Sequence, residues 1–373
     1  MRKKKVLIFR CNSLAVGGGV ENWILKVVSE LKSFDFTVIS LAYAKDRRIN
    51  VCDLSRHLTY MELPYVKLPR GTPLPTMSSL KRVIDIANAS DLVYWASPCI
   101  PSDLLIPVFS KAISVPLIVG FHSWKIFSIF TDYCLFKLLY SVDGIHTMNT
   151  YSYNIFKKVC RNSRVFLVPN GTEHNPYLKD TIEKTYSERF IVLWTGRLEH
   201  DKGADILVKI LMFAIKMRSK FSELKFYICG SGSYASIIKK LSSRHKDLIA
   251  YLGFVDRDKL LEMYARANLF LSPSRIDGMP LRLLEAHAAG TPAIASAIPG
   301  NIDIIKICKS GILVKGWDAI KYARAISKIY NIWKTSPESY NRYCMSISKR
   351  TLRNFSWDVV LKKLSLILNN FIN

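Results

Sequence analysis

Residues Asn268–Ser296 read NLFLSPSRIDGMPLRLLEAHAAGTPAIAS. An apolar run, NLFLSP, leads into a polar loop. A segment rich in leucine and alanine follows from Pro280, and a second apolar run, PAIAS, closes the stretch. Short buried runs flanking a helix are the signature of a strand–helix–strand unit whose strands lie parallel in one covered sheet. Pro280 suits the first helical position, because its missing N–H has no intrahelical partner there, so the spacing predicts a helix starting at Pro280. Glu285 then lies about one and a half turns into that helix, with Asp277 on the loop ahead of it. Two carboxylates at a helix mouth can accept hydrogen bonds from sugar and ribose hydroxyls, while the helix N-terminus favours a developing phosphate charge. The alternative is an acid that complements the helix dipole and a surface glutamate. A glutamate within LLEAHAAG argues against it, since an acid in small and apolar company needs a partner.

Working outward, the same alternation fills the chain. Strand candidates before residue 172 are KVLIF from Lys5, FTVISLAY from Phe36, LVYWA from Leu92, PLIVGF from Pro116, GIHTM from Gly144 and VFLVP from Val165. SLKRVIDIANA from Ser79 and YSYNIFKKV from Tyr151 carry helical periodicity. A second series comprises FIVLWTG, KFYICGSG, IAYLGFV, NLFLSP and PAIAS. The fold class expected is α/β, with two Rossmann-like, doubly wound parallel-sheet domains. The boundaries expected are 1–172 for the first domain, 173–187 for a polar linker and 188–355 for the second domain. Residues 356–373 are expected to form an amphipathic helix, N-capped by Ser356, that packs back on the first domain.

The 373 residues are 49% hydrophobic and 22% charged, an ordinary globular balance, and no repeat or low-complexity tract interrupts it. The opening MRKKKVLIFRCN is too short in its apolar run for a signal segment and fits a buried first strand. No apolar stretch reaches the roughly 18 residues of a membrane-spanning helix. The eight cysteines form no CxxC pair and no metal spacing, so reduced buried thiols are expected. The histidines are scattered rather than clustered as metal ligands. The formal net charge of +25 is the unusual bulk property and favours anionic partners: nucleic acid, nucleotide sugars or an anionic membrane surface.

Several turns could carry ligands. AVGGGVENW places Gly17, Gly18 and Gly19 between a strand and a helix, where backbone amides can meet phosphate; an ordinary tight turn reads equally well. LWTGRLEHDKGADILVKI ends a strand at Gly196 and sets Arg197 and Lys202 ahead of a helix, an arrangement suited to a diphosphate. Two solvated loop charges are the alternative. ICGSGSY (Gly230, Gly232) and YLGFV (Gly253, Phe254) end further strands, where open α/β sheets bind ligands, and a plain β-to-α turn is the alternative for either. His122 follows an apolar strand and is read as a site residue at a strand end, against the alternative of a hydrogen-bonded core histidine.

In order, these segments resemble the retaining family 4 glycosyltransferases of the GT-B fold. That family's signature is two acids separated by seven residues, an alanine-rich stretch and Gly-x-Pro. Here it stands as Asp277, Glu285, Ala286, Ala288, Gly290 and Pro292. The likeness also takes in the glycine turn, His122, VPNGTE at Val168–Glu173, GRLEHDKG, CGSGSY, YLGFV, SGILV from Ser310 and the final FSW helix. It implies an active site in the cleft between the domains and transfer of a hexose from a UDP- or GDP-linked sugar to a glycan or lipid-linked acceptor. Anomeric configuration would be retained, by a same-face mechanism that needs no metal.

The resemblance implies roles as well. Arg197 and Lys202 would bind the diphosphate, Glu285 the ribose and Asp277 the sugar hydroxyls, and His122 would line the sugar site. Gly18 and Gly19 would approach the phosphates or the acceptor. Gly196, Gly230, Gly232, Gly253, Phe254, Gly278, Met279, Pro280 and Leu281 complete the expected donor-binding set. Two departures stand out: Asp277 where the family usually has Glu, a difference of about 1.5 Å in reach, and Asp303 where a further Glu is usual.

The aromatic run FHSWKIFSIFTDYCLFKLLY, Phe121–Tyr140, reads either as a core helix or as an interfacial helix. With the basic charge it raises docking on anionic lipid, and so a cytoplasmic protein peripheral on the inner membrane face. Three other readings are a catalytically silent subunit that binds a glycan or a partner enzyme, another GT-B enzyme such as an epimerase acting on a nucleotide sugar, against which the Arg197 and Lys202 pair with the spaced acids favours transfer, and a basic nucleic-acid-binding protein. No helix-turn-helix, RRM, KH or zinc pattern supports the last, so no nucleic-acid partner is expected.

Overall fold

A computed structural model describes residues 2–14, 18–42, 58–67, 73–97, 102–122, 142–178 and 188–373. The chain divides into two units, Met1–Asn170 with Val360–Asn373, and Gly171–Val359.

The first unit runs β1 (Lys4–Arg10), α1 (Gly19–Glu30), β2 (Phe34–Leu41), β3 (Leu58–Leu63), β4 (Tyr65–Lys67), β5 (Pro73–Pro75), α2 (Met77–Asn88), β6 (Leu92–Ser97), α3 (Ile106–Ala112), β7 (Leu117–Phe121), β8 (Gly144–Thr147), α4 (Thr150–Val159) and β9 (Arg164–Leu167). Its sheet has the order β3-β2-β1-β6-β7-β8-β9, and every pairing in it is parallel. Strand β6 is buried at every residue, as a strand covered by helices on both faces must be. Local signals start the helices: the Thr76 hydroxyl takes the Ser79 N–H at 3.1 Å and the Asn149 amide oxygen takes the Ser152 N–H at 2.9 Å. Leu7, Phe9, Trp95, Phe109 and Val119 form the centre of the core.

The second unit repeats the plan with β10 (Phe190–Thr195), α5 (Ala204–Lys216), β11 (Leu224–Cys229), α6 (Ala235–Arg244), β12 (Ile249–Gly253), α7 (Arg257–Arg266), β13 (Leu269–Ser272), α8 (Leu281–Ala288), β14 (Ala293–Ser296), α9 (Pro299–Cys308), β15 (Gly311–Val314), α10 (Ala319–Thr335) and α11 (Pro337–Phe355). The strand order is β12-β11-β10-β13-β14-β15, again parallel throughout. This is the doubly wound Rossmann order, and it reverses between β10 and β13. Phe190, Trp194, Phe226, Tyr322 and Tyr340 anchor the core.

A last helix, α12 (Trp357–Ile372), is amphipathic and buries Val360, Leu361, Leu364 and Leu368. From Val360 it belongs to the first unit, where Lys4 Nζ donates to Asn369 Oδ1 at 3.0 Å and the Phe371 and Phe166 rings lie 5.9 Å apart. Ser356 Oγ accepts the Val359 N–H at 3.5 Å.

Three details depart from expectation. Pro280 is the N-cap of α8 rather than its first residue: its ψ of 115° is extended, so the helix begins at Leu281. Strand β3 has no apolar run to announce it; it is an edge strand with mostly half-buried residues. Cys11 is disulfide-bonded, whereas Cys160, Cys229, Cys308 and Cys344 are free and buried. Pairing between distant cysteines depends on Cα separation and leaves no spacing signal in the chain. The expected aromatic helix and linker fall largely at 123–141 and 179–187, outside the described residues.

Candidate functional site

In the second unit the loops after β10 and β13 lie beside each other at the point where strand order reverses. An open parallel sheet leaves a crevice for ligands there. Strand β10 ends at Thr195. Gly196 follows with φ 139°, a backbone conformation that side chains resist. Its missing Cβ matters twice, because a methyl group there would fall on the Arg282 guanidinium and Gly196 O would meet any Cβ at Gly230. Gly203, at φ 74°, then starts α5. A short 3-10 turn, His200–Lys202, carries Lys202 towards the β13 loop.

The centre of this arrangement is Asp277. Lys202 Nζ donates to Asp277 Oδ1 at 3.0 Å and to Ile276 O at 3.0 Å. Arg282 Nη2 donates to Asp277 Oδ2 at 2.8 Å and to Ser274 Oγ at 2.8 Å, and its Nη1 reaches Thr195 O at 2.7 Å. The Lys202 and Asp277 side chains are each 17% exposed and that of Arg282 is 15% exposed, so these charges act through little water. Arg197, by contrast, is 61% exposed and pairs with Asp201 at 2.8 Å. Burial pushes the Asp277 carboxyl up, but Arg282 and then Lys202 outweigh it and hold its pKa below the ordinary aspartate value. Burial draws the Lys202 ammonium down further than Asp277 lifts it. One carboxylate thus locks two cations, and with the Arg197–Asp201 pair the cluster keeps one net positive charge. The N-terminus of α8 adds its own positive potential.

Other residues fasten the frame. The Glu199 carboxylate accepts the Ser233 N–H at 2.9 Å and its hydroxyl at 2.7 Å, tying the β10 loop to the β11 loop that holds Gly230 and Gly232. Arg275 makes two bonds to Asp205, at 2.6 and 2.8 Å, and so ties the β13 loop to α5. Gly278, Met279 and Pro280 are buried, and a Cβ at Gly300, in the first turn of α9, would strike Gly278 O. Leu281 is half-buried at the start of α8. Gly253, with φ 67°, ends β12, and Phe254 beyond it is 75% exposed. Glu285 is paired with Arg257 rather than with Arg197 or Lys202; its side chain is 12% exposed. His287 is structural, held between Thr291 O at 2.9 Å and Ser310 Oγ at 2.7 Å.

In the first unit, Gly18, Gly19 and His122 lie at C-terminal strand ends of their own sheet, while Gly17 is outside the described residues. A Cβ at Gly18 would fall on the Glu21 carboxylate. That carboxylate is buried and takes Arg10 Nε at 3.0 Å, with Arg10 Nη1 on Ala96 O at 3.0 Å. Gly18 therefore makes room for a buried ion pair beneath the loop. Gly19, the first residue of α1, is exposed. His122 is half-buried. It sits 3.2 Å from the Tyr94 hydroxyl, with the Trp23 ring edge-on at 4.7 Å.

Sequence reasoning passed over Arg282, Arg275, Glu199 and Tyr94. Arg282 did leave a trace: an arginine in the first turn of a helix faces the positive end of the dipole, an unfavourable place without a buried acid beside it. Among the described residues no group of three or more His, Cys, Asp or Glu could hold a metal ion, and no helix is long and apolar enough to cross a membrane.

Two Rossmann-like parallel-sheet units, each with a parallel strand order that reverses once, are the fold of GT-B proteins. Residues 179–343 match the glycosyl transferases group 1 family. An uncharacterized glycosyltransferase of Methanocaldococcus jannaschii is 28% identical over 178 residues, 46% of this chain and 43% of that protein. The chain thus spans less than half the length of that relative. A GDP-mannose-dependent monoacylated alpha-(1-6)-phosphatidylinositol monomannoside mannosyltransferase of Corynebacterium glutamicum is 22% identical over 333 residues, 83% of this chain and 85% of that one. The crystal structure of Anabaena HepE in complex with UDP superposes with a TM-score of 0.77 at 15% identity, covering 98% of this chain and 100% of that one. At that identity the likeness speaks for the fold.

Proposed function

We propose that the protein transfers a hexose from a nucleoside-diphosphate sugar to a glycan or lipid-linked acceptor, retaining the anomeric configuration without a metal ion. The observation that carries this reading is the Lys202–Asp277–Arg282 cluster beside Arg197 at the switch point. Fixed cations and a helix N-terminus there suit a diphosphate whose charge grows as the glycosidic bond breaks. In this reading Arg197 and Lys202 stabilise the leaving diphosphate and the remaining acceptor capacity of Asp277 takes sugar hydroxyls. Glu285 exchanges Arg257 for the ribose, and His122 addresses the transferred sugar. The acceptor oxygen attacks the anomeric carbon on the face the diphosphate leaves, and its proton passes to the departing phosphate oxygen. The net charge of +25 and the Corynebacterium relative's named phosphatidylinositol acceptor support a lipid-linked acceptor and a peripheral position on an anionic, cytoplasmic membrane face.

The test is a panel of UDP-, GDP- and ADP-sugars in EDTA, read by thermal stabilisation and nucleotide release. One donor should stabilise the protein, since a ligand bound only by the native state raises its stability. Lys202→Ala should weaken that donor by roughly 10- to 150-fold, the value of a charge-assisted hydrogen bond. NMR of the product should show the donor's anomeric configuration. A protein stabilised by a donor but releasing no nucleotide with any glycan or lipid-linked acceptor would instead be a binding subunit. A protein indifferent to every donor but tightly bound to nucleic acid in a salt-sensitive way would overturn the reading.

A further inference from the structure

Behind His122 runs a chain of polar atoms that the reaction as proposed does not use. His146 Nε2 lies 2.8 Å from Val168 O, and His146 Nδ1 lies 2.6 Å from the Tyr94 hydroxyl. The same hydroxyl lies 3.2 Å from His122 Nε2. His146 and Tyr94 are fully buried, and Gly120 leaves the slot for the hydroxyl, since a Cβ there would fall on the Tyr94 oxygen. Trp23 covers the group, its ring 5.3 Å from that of Tyr94 and stacked on it.

Counting donors fixes the protons along this chain. A carbonyl can only accept, so His146 Nε2 carries hydrogen and donates to Val168 O. Burial draws His146 down to about 4, so the ring is neutral and its Nδ1 is a bare acceptor. Burial also keeps the Tyr94 hydroxyl protonated, and it donates its one hydrogen to that Nδ1. The Tyr94 oxygen then has only lone pairs left for His122, whose Nε2 must carry the hydrogen. His122 is itself held neutral, by burial first and then by His146 and Arg10. Its Nδ1 is therefore the bare nitrogen.

We propose that Tyr94 and His146 are positioning residues that lock His122 in the Nε2–H tautomer, so that it offers its Nδ1 lone pair as a hydrogen-bond acceptor to a sugar hydroxyl. A ring nitrogen's role is set by the partner of the other nitrogen, and here that partner is two side chains deep in the core. The sugar hydroxyl as recipient rests on the function proposed above, whereas the tautomer does not.

The experiment is ¹⁵N NMR of the histidine rings in the ligand-free protein at neutral pH, with His122 assigned through His122→Asn. In the unaltered protein, the signals of both His122 and His146 should show Nε2 protonated and Nδ1 bare. In Tyr94→Phe the acceptor for His122 Nε2–H is gone, and His122 should move to a mixture of tautomers while His146 keeps its bond to Val168 O. Gly120→Ala, which displaces the hydroxyl without removing it, should do the same. Turnover of the bound donor should fall about five- to tenfold in both variants with the donor's KM little changed, the loss expected for one misdirected hydrogen bond. An Nδ1–H tautomer at His122 in the unaltered protein would overturn the proposal even if neither variant folds. So would an unchanged His122 tautomer in folded Tyr94→Phe and Gly120→Ala. If the tautomer shifts as expected while His122→Asn leaves turnover intact, the lock stands and the assignment of His122 to the sugar fails.

Discussion

Replacing Arg282 with methionine tests whether the cation cluster is one unit. The change keeps most of the side chain's volume and removes three bonds: to Asp277 Oδ2 at 2.8 Å, Ser274 Oγ at 2.8 Å and Thr195 O at 2.7 Å. The bond to Asp277 is ionic and mostly shielded, worth about 1.5–3 kcal/mol, and the bonds to Ser274 and Thr195 add about 1 kcal/mol each. Methionine recovers part of this through apolar contact, so Arg282→Met should destabilise the second unit by about 2–4 kcal/mol. Asp277→Asn removes the same ionic bond from the other side. If Arg282 acts through Asp277, the double variant should cost less than the sum of the two by about 1.5–3 kcal/mol. The assay is urea unfolding with a probe in the second unit, because a two-unit chain does not owe a single two-state transition. Donor affinity measured on the same four proteins should show the same non-additivity, since Asp277 released from Arg282 reorients on Lys202. A loss below about 0.5 kcal/mol for Arg282→Met, or strictly additive losses, would mean that the three side chains are neighbours without being coupled.

Other expectations follow from the same geometry. Burial depresses His146 to about 4, so the unfolded chain takes up a proton below about pH 6.5 that the folded chain refuses. Stability should fall as pH drops from about 6.5 towards 4, by about 3 kcal/mol from this residue; His146→Gln should flatten that slope in a pH series of unfolding curves, and an unchanged slope would refute the assignment. Gly196→Ala should destabilise by about 2 kcal/mol or more, because a φ of 139° strains any side chain and the new methyl meets Arg282; calorimetry reads it. Glu285→Gln should weaken the stabilising donor about tenfold, whereas Arg257→Ala, which leaves the carboxylate in place, should stay within about threefold of the unaltered protein. Equal losses in a titration of both would assign the role to the ion pair rather than to Glu285.

The architecture was legible because its carriers are local. FIVLWT, FYIC, LFLS and AIAS are apolar runs with nowhere to go but a buried parallel sheet, and glycine follows the first two directly, at Gly196 and Gly230. Arg197, Lys202, Asp277 and the glycine turns could be picked out because each follows a strand, and strand ends are where such sheets bind. What the chain did not disclose is pairing across sequence distance. Nothing local says that Arg282 crosses Gly196 to reach Thr195 O, that Glu285 faces Arg257, or that Cys11 is disulfide-bonded. Tyr94 read only as one more apolar residue of LVYWA, although its hydroxyl joins two histidines at separations of 28 and 52 residues. Strand β3 was missed for a related reason: an edge strand with polar residues on its open face has no run to see.

The shorter acid at position 277 takes on a different meaning once its neighbours are placed. Both of its oxygens are engaged, Oδ1 by Lys202 and Oδ2 by Arg282, yet a carboxylate offers about four lone-pair directions. The ion pairs leave two of them open. An Asp at this distance can hold the cations and still accept from a hydroxyl, with no need to choose between a structural and a binding role. It also explains why the cations do not disperse. Lys202 on its own is drawn towards the neutral form by burial, and Arg282 sits at the repulsive end of a helix, so each depends on the carboxylate between them. A diphosphate arriving at the cluster would find positive charge already fixed in position, and little reorganisation would remain for the moment of bond cleavage.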